Sequence, residues 1–118
     1  MQITCNHPLE KGFTADRIKE ILLMYRTEYY CFCYETGEQG TEHFHLYIKF
    51  KNPQSTSILS KRFGNAHVEA IRNHSTSLQN RDYIRKEGAY LDSEKKATNH
   101  IETFYESGDC PTDGKENQ

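Results

Sequence analysis

The run Tyr29-Tyr30-Cys31-Phe32-Cys33-Tyr34-Glu35, then Thr36-Gly37-Glu38-Gln39-Gly40, then, after Thr41, Glu42-His43-Phe44-His45-Leu46-Tyr47-Ile48-Lys49-Phe50-Lys51, decides the fold. Its first part is dense in aromatic residues and cysteine, its middle is a short loop with two glycines, and its last part alternates polar with apolar. The whole reads as a β-hairpin. Along the returning strand His43 and His45 share one face, while Phe44 points the other way into a core with Leu46, Ile48 and Phe50. If the turn centres on Gln39, facing residues have numbers that sum to about 78. Glu35 then lies opposite His43, and Cys33 opposite His45, all on the histidine face. Glu42 adjoins His43 in sequence, but its parity sends it to the other face. Glu35 is therefore preferred to Glu42, and a slip of one residue in the register would break the argument.

Working outward from the hairpin, Met1–Cys5 is a β-type stretch and Asn6-His7-Pro8 suits a turn. Thr14 is placed to cap a helix over residues 15–26, where Ile18, Ile21, Leu22 and Tyr25 recur at helical spacing. Pro53 closes the hairpin's second strand. Ser55 or Thr56 then caps a second helix with Ile58, Leu59 and Phe63 apolar, ending at Gly64. Ala66–Arg72 alternates as a strand does. Thr76-x-x-Gln79 resembles a capping box that opens a third helix, stopping at Gly88. Ala89–Asp92 reads as a short strand, and residues 95–106 as a helix carrying Ile101, Phe104 and Tyr105. From Ser107 the chain is small, polar and charged, a tail or the start of a linker. The expected fold is α+β: an antiparallel sheet of four to five strands with helices on one side, in a split βαβ, ferredoxin-like or RRM-like order. Residues 1–106 would form one domain and 107–118 the tail.

Bulk composition narrows the classes. With 118 residues, 35% of them hydrophobic, no tryptophan and 27% charged, one domain with a modest core follows. No apolar run approaches the roughly 20 residues of a membrane span, and no secretion signal opens the chain, so an intracellular protein is expected. Cys31 and Cys33 sit side by side on one strand face, a placement that suits buried thiols better than a disulfide. Net charge is −2, which argues against coating duplex DNA by bulk attraction. Residues 41–90 nevertheless hold eight Lys/Arg against four Asp/Glu, and the remainder seven against thirteen, so the middle of the chain is the part suited to a phosphate backbone.

Two imidazoles and a carboxylate on one strand face are the beginning of a divalent-metal site. A structural zinc held by Cys31, Cys33, His43 and His45 is the competing arrangement. In the third helix Tyr83 and Lys86 are three residues apart and share a face, with Gln79 one turn earlier on the same side. A phenol is only about 0.1% ionised at neutral pH, so a tyrosine nucleophile needs a cation nearby.

Three segments in order, Ile3-Thr4-Cys5-Asn6-His7-Pro8, His43-Phe44-His45-Leu46-Tyr47-Ile48-Lys49-Phe50 and Tyr83-Ile84-Arg85-Lys86-Glu87-Gly88, resemble motifs I, II and III of replication-initiator (Rep) proteins. These belong to the HUH endonuclease superfamily, from circular single-stranded DNA viruses and related plasmids. The resemblance spans roughly residues 2–92. It implies an HUH endonuclease fold and a metal-dependent enzyme that nicks and rejoins single-stranded DNA at a stem-loop replication origin. His43, His45 and Glu35 would hold Mn²⁺ or Mg²⁺, and Tyr83 would be the nucleophile, leaving a 5′-phosphotyrosine and a free 3′-OH. Lys86 would orient or activate Tyr83 and touch the phosphate, with Glu87 and Gln79 as accessory groups. Thr4, Asn6, Lys49 and Arg85 would contact DNA. No Gly-x-x-x-x-Gly-Lys loop occurs, although such Rep proteins usually continue into an oligomerisation segment and a helicase. The chain therefore reads as the nuclease domain alone, or as a relative without the helicase, and the tail after Ser107 as a linker. A host nucleus is implied if the source is a eukaryotic virus, and no membrane is. A non-catalytic RRM-like module that binds single-stranded nucleic acid is the rival reading, since it would need neither the histidines nor Tyr83.

Overall fold

A computed structural model of the chain describes residues 1–37, 40–70, 76–87 and 99–110. Its elements run β1 (Gln2–Asn6), α1 (Ala15–Leu22), β2 (Thr27–Thr36), β3 (Glu42–Phe50), α2 (Thr56–Arg62), β4 (His67–Glu69), α3 (Ser77–Arg85) and β5 (Asn99–Gly108). The strands form one sheet in the order β4-β1-β3-β2-β5, every neighbouring pair antiparallel. The expected α+β antiparallel architecture is present, and the hairpin β2–β3 lies inside the sheet with a partner on each side.

Local signals set the helix starts. Thr14 accepts a hydrogen bond from the Arg17 amide and Ser55 one from the Ile58 amide, each quieting a donor that the first helical turn leaves unpaired. α1 is shorter than its apolar spacing suggests: it ends at Leu22, and Tyr25 still packs on the core from the turn that follows. In α2, Leu59 and the following Phe63 are buried while Ile58 is 55% exposed, so only part of the expected apolar set faces inward. The β4 ladder covers His67–Glu69, within the expected Ala66–Arg72; residues 71 and 72 lie outside the described residues, as do Gly88 and the expected strand Ala89–Asp92.

Alternation gives the sheet two different faces. One carries Ile3, Cys5, Phe32, Phe44, Leu46 and Ile48 against Ile18, Ile21 and Leu22 of α1 and against Phe63. The other carries Tyr29, Cys31, Cys33 and Tyr47 against Ile84 of α3. Helices therefore cover both faces, not one side as expected, because both sets of strand residues are apolar enough to need burial.

The second departure is β5. The expected helix over 95–106 is a strand, Asn99–Gly108, hydrogen-bonded along β2; residues 95–98 lie outside the described residues. Phe104 and Tyr105, read as members of a helical stripe, instead point to opposite faces, Phe104 toward α3 and Tyr105 toward α1. Between Phe32 and Tyr34 of β2 the register shifts, and Thr103 repairs the interruption by accepting from the Tyr34 amide at 3.0 Å and donating to the His100 carbonyl at 2.6 Å. Ile101, at 44% exposure, falls in the shifted segment. The strand runs past the expected boundary at residue 106 to Gly108. There φ is +87°, and a Cβ would come within 2.4 Å of the Glu28 carbonyl oxygen, so only glycine fits. Among the described residues no helix is long and apolar enough to cross a membrane.

Phe44→Ala should cost about 3–5 kcal/mol in urea unfolding, because its ring is fully buried between sheet and helices. Ile58→Ala on the exposed face of α2 should stay within about 0.5 kcal/mol.

Candidate metal centre and the tyrosine helix

The hairpin pairs Glu35 with His43 and Cys33 with His45, the register expected from its turn. Glu35 is 2% exposed, with Oε1 3.8 Å from His43 Nε2 and Oε2 3.3 Å from His45 Nε2. The two Nε2 atoms are 3.2 Å apart. His43 Nδ1 faces the Thr41 carbonyl at 3.4 Å, and His45 Nδ1 faces Thr4 Oγ1 at 3.3 Å. A carbonyl only accepts, so the tautomer of His43 that donates from Nδ1 to Thr41 is the one that turns a lone pair inward from Nε2. Thr4 allows His45 the same tautomer. Two imidazole lone pairs and a carboxylate would then converge on one small space, which is chemistry that calls for a cation. One ligand atom from each of Glu35, His43 and His45 can be chosen so that all lie within 4.8 Å of one another. These three residues fit a divalent metal.

The helix α3 brings the tyrosine to this cluster. Thr76 and Gln79 form the expected reciprocal cap: the Gln79 amide donates to Thr76 Oγ1, and Gln79 Oε1 accepts from the Thr76 amide. The Tyr83 ring lies edge-on to His45, centroids 5.7 Å apart. Lys86 ends the helix in the left-handed conformation (φ 57°), which costs a residue other than glycine about 1–2 kcal/mol. Its ammonium is compensated on three sides: Nζ donates to Glu35 Oε2 at 3.0 Å and to the Tyr83 carbonyl at 2.7 Å, and lies 4.1 Å from the Tyr83 ring centroid. At 1% exposure, Lys86 links the metal-type carboxylate to the helix that carries Tyr83.

The remaining sequence-expected residues separate into two groups. Thr4 and Asn6 are near the cluster, paired across the sheet with His45 and His43. Gln79 is exposed at the start of α3, where it serves the cap. Lys49 lies farther along β3 and pairs with Glu28 at 3.4 Å. Arg85 holds Glu87 at 2.5 Å and lies 4.5 Å from the Phe104 ring centroid, so both Arg85 and Glu87 belong to the flank of α3 that faces β5. Glu42 is exposed and pairs with Thr36 one step beyond the Glu35–His43 pair, which puts it on the face away from the histidines, as its parity requires. The zinc alternative is not assembled. The ligand atoms that converge are those of Glu35, His43 and His45, whereas the Cys33 thiol donates to the His100 carbonyl at 3.1 Å, and burial raises both the Cys31 and the Cys33 thiol.

Sequence reasoning did not find the groups that dock α3. The Tyr47 hydroxyl and Ser77 hydroxyl share a hydrogen bond of 2.8 Å, and Gln2 on β1 donates to the buried Asn80. A polar Ser77 and Asn80 at i and i+3, in line with Ile84 four residues on, was the available signal; it looks like an interruption of the apolar stripe until the strand partners are known.

Titration with Mn²⁺ by calorimetry should show Glu35→Gln, His43→Ala and His45→Ala each weakening binding about tenfold or more, and Glu42→Gln changing it less than about twofold. Thr4→Val, which removes the partner of His45 Nδ1, should weaken it about tenfold.

With this geometry in place, comparison with known proteins gives a consistent picture. Residues 3–87 match the sequence model of the family described as "Putative viral replication protein". Over 54 residues, 46% of this chain, the sequence is 43% identical to the replication-associated protein of beak and feather disease virus. That stretch spans 18% of the viral protein's length. The family match covers both strands of the hairpin, the clustered Glu35, His43 and His45, and α3 with Tyr83 and Lys86. The chain belongs to the viral replication protein family.

Proposed function

We propose that this chain is the origin-nicking unit of a replication initiator: a metal-dependent endonuclease and strand-joining enzyme that cuts single-stranded DNA at a stem-loop origin through Tyr83. The observation that carries the proposal is the approach of the Tyr83 ring to His45, beside the cluster of Glu35, His43 and His45. Mn²⁺ or Mg²⁺ held by those three residues would neutralise charge building on the scissile phosphate; the mixed nitrogen and oxygen set suits Mn²⁺ well and Mg²⁺ adequately.

The chain's own residues supply the rest. Tyr83 Oη attacks phosphorus in line with the 3′ oxygen, the new O–P bond forms as the P–O3′ bond breaks, and the phenol proton is lost to solvent as the 3′ oxygen gains one. The products are a 5′-phosphotyrosine and a 3′-OH that can prime synthesis. Because one phosphodiester replaces another, the reverse attack by a 3′-OH rejoins strands. Lys86 holds the helix end from which Tyr83 projects and sets a positive charge against its ring. Thr4 keeps His45 turned inward, and Asn6 stands on the neighbouring strand as a group for the incoming DNA. Assembly with a helicase-bearing remainder, and action in a host nucleus, belong to the same proposal.

A labelled oligonucleotide carrying the origin hairpin, incubated with the protein and Mn²⁺, should yield a covalent protein–DNA adduct. Tyr83→Phe and EDTA should each abolish it. Tight binding with no adduct on any single strand would instead leave a non-catalytic, RRM-like binding module.

A further inference from the structure

β5 begins twelve residues beyond the end of the family match at Glu87, yet its side chains grip the flank of α3 opposite Tyr83. The buried stripe of α3 is Ser77, Asn80 and Ile84. At about 100° per residue, Arg81 and Tyr83 project on opposite sides of that stripe. On the Tyr83 side stands His45. On the Arg81 side stands β5: Arg81 Nε donates to Glu106 Oε2 at 2.8 Å, and Nη2 to Oε1 at 3.4 Å. The same Oε2 accepts from the hydroxyl of fully buried Tyr29 at 2.6 Å. The guanidinium carbons of Arg81 and Arg85 lie 5.5 and 4.5 Å from the Phe104 ring centroid. Two charge-assisted hydrogen bonds from one guanidinium onto one carboxylate fix a direction as well as a distance.

Toward the sheet, α3 is hooked by Ser77 to Tyr47 and Asn80 to Gln2 in its first half, and at its end by Lys86 to Glu35. These contacts hold the buried stripe and the Tyr83 side of the helix, while on the side opposite Tyr83 the groups that oppose a roll are Arg81 and Arg85 against β5. A phenol oxygen stands roughly 8 Å from a helix axis, so a roll of about 20° would move it by about 3 Å. Misplacement by about 1 Å can cost a reaction about 10²-fold.

We propose that Glu106 and Arg81 are positioning residues for Tyr83: the clamp from β5, anchored through Tyr29, sets the roll of α3 and so the approach of the phenol to the metal cluster. The nuclease unit then includes β5 and does not end with the tyrosine motif. This inference rests on the nicking reading for its effect on rate, but not for the clamp itself.

The experiment uses the full chain and Glu106→Gln, a near-isosteric change, with Arg81→Met as a second variant should the first fold poorly. Three quantities are measured: the single-turnover rate of adduct formation at saturating origin oligonucleotide with Mn²⁺, the affinity for that oligonucleotide in a Tyr83→Phe background, and amide hydrogen exchange. The rate should fall tenfold or more while affinity stays within twofold, and exchange should quicken about tenfold in residues 79–86 but not in α1. An unchanged rate, or a rate loss matched by lost affinity or by faster exchange throughout the molecule, would overturn the positioning role. If wild type forms no adduct, the nicking reading has failed, and exchange alone judges the clamp: acceleration confined to α3 supports it, and none refutes it.

Discussion

The register of one hairpin governs the molecule. With Glu35 opposite His43 and Cys33 opposite His45, three ligand-type side chains meet on one face while Phe44, Leu46 and Ile48 are buried on the other. Side chains alternate strictly along a strand, so a slip of one residue would drive both histidines into the aliphatic core and expose Phe44. The slip is opposed from both sides, because β1 pairs with β3 and β5 with β2. The hairpin therefore has no free edge, and the cluster is held by the same ladders that hold the sheet.

A second layer turns that cluster into a site. α3 crosses the histidine face of the sheet, anchored to β1 through Asn80, to β3 through Ser77 and to β5 through Arg81. Lys86 closes the arrangement by placing its ammonium on Glu35. Both partners are almost fully buried, and leaving either unpaired would cost several kcal/mol, so the pair ties the helix end to the carboxylate. The position of the tyrosine and the geometry of the Glu35–His43–His45 cluster are in this way mutually dependent.

Much of this was legible in the linear chain. Period-two alternation located the hairpin, its loop length set the register, and parity selected Glu35 over Glu42. Thr14, Ser55 and the Thr76–Gln79 pair announced the helix starts, since capping depends only on residues three or four apart. The misreading of β5 has an equally physical origin. Ile101, Phe104 and Tyr105 are spaced as a helix would space them, and the interruption that breaks the strand's alternation is visible only against β2. The polar anchors of α3 were hidden for the same reason, because Ser77 and Asn80 make sense only once Tyr47 and Gln2 lie beneath them.

Sequence by itself determined the sheet's two faces, the meeting of Glu35 with His43 and His45 on one of them, and the residue types at the tyrosine helix, because each follows from the short-range periodicity of a strand or a helical turn. Tertiary structure decided which face α3 covers, that Lys86 turns inward to Glu35, that Arg85 and Glu87 join the β5 flank, and that the last described strand is part of the same sheet. Those choices depend on contacts between residues up to 78 apart in the chain, such as Gln2 with Asn80, and no local pattern encodes which distant surface will be there to receive a side chain.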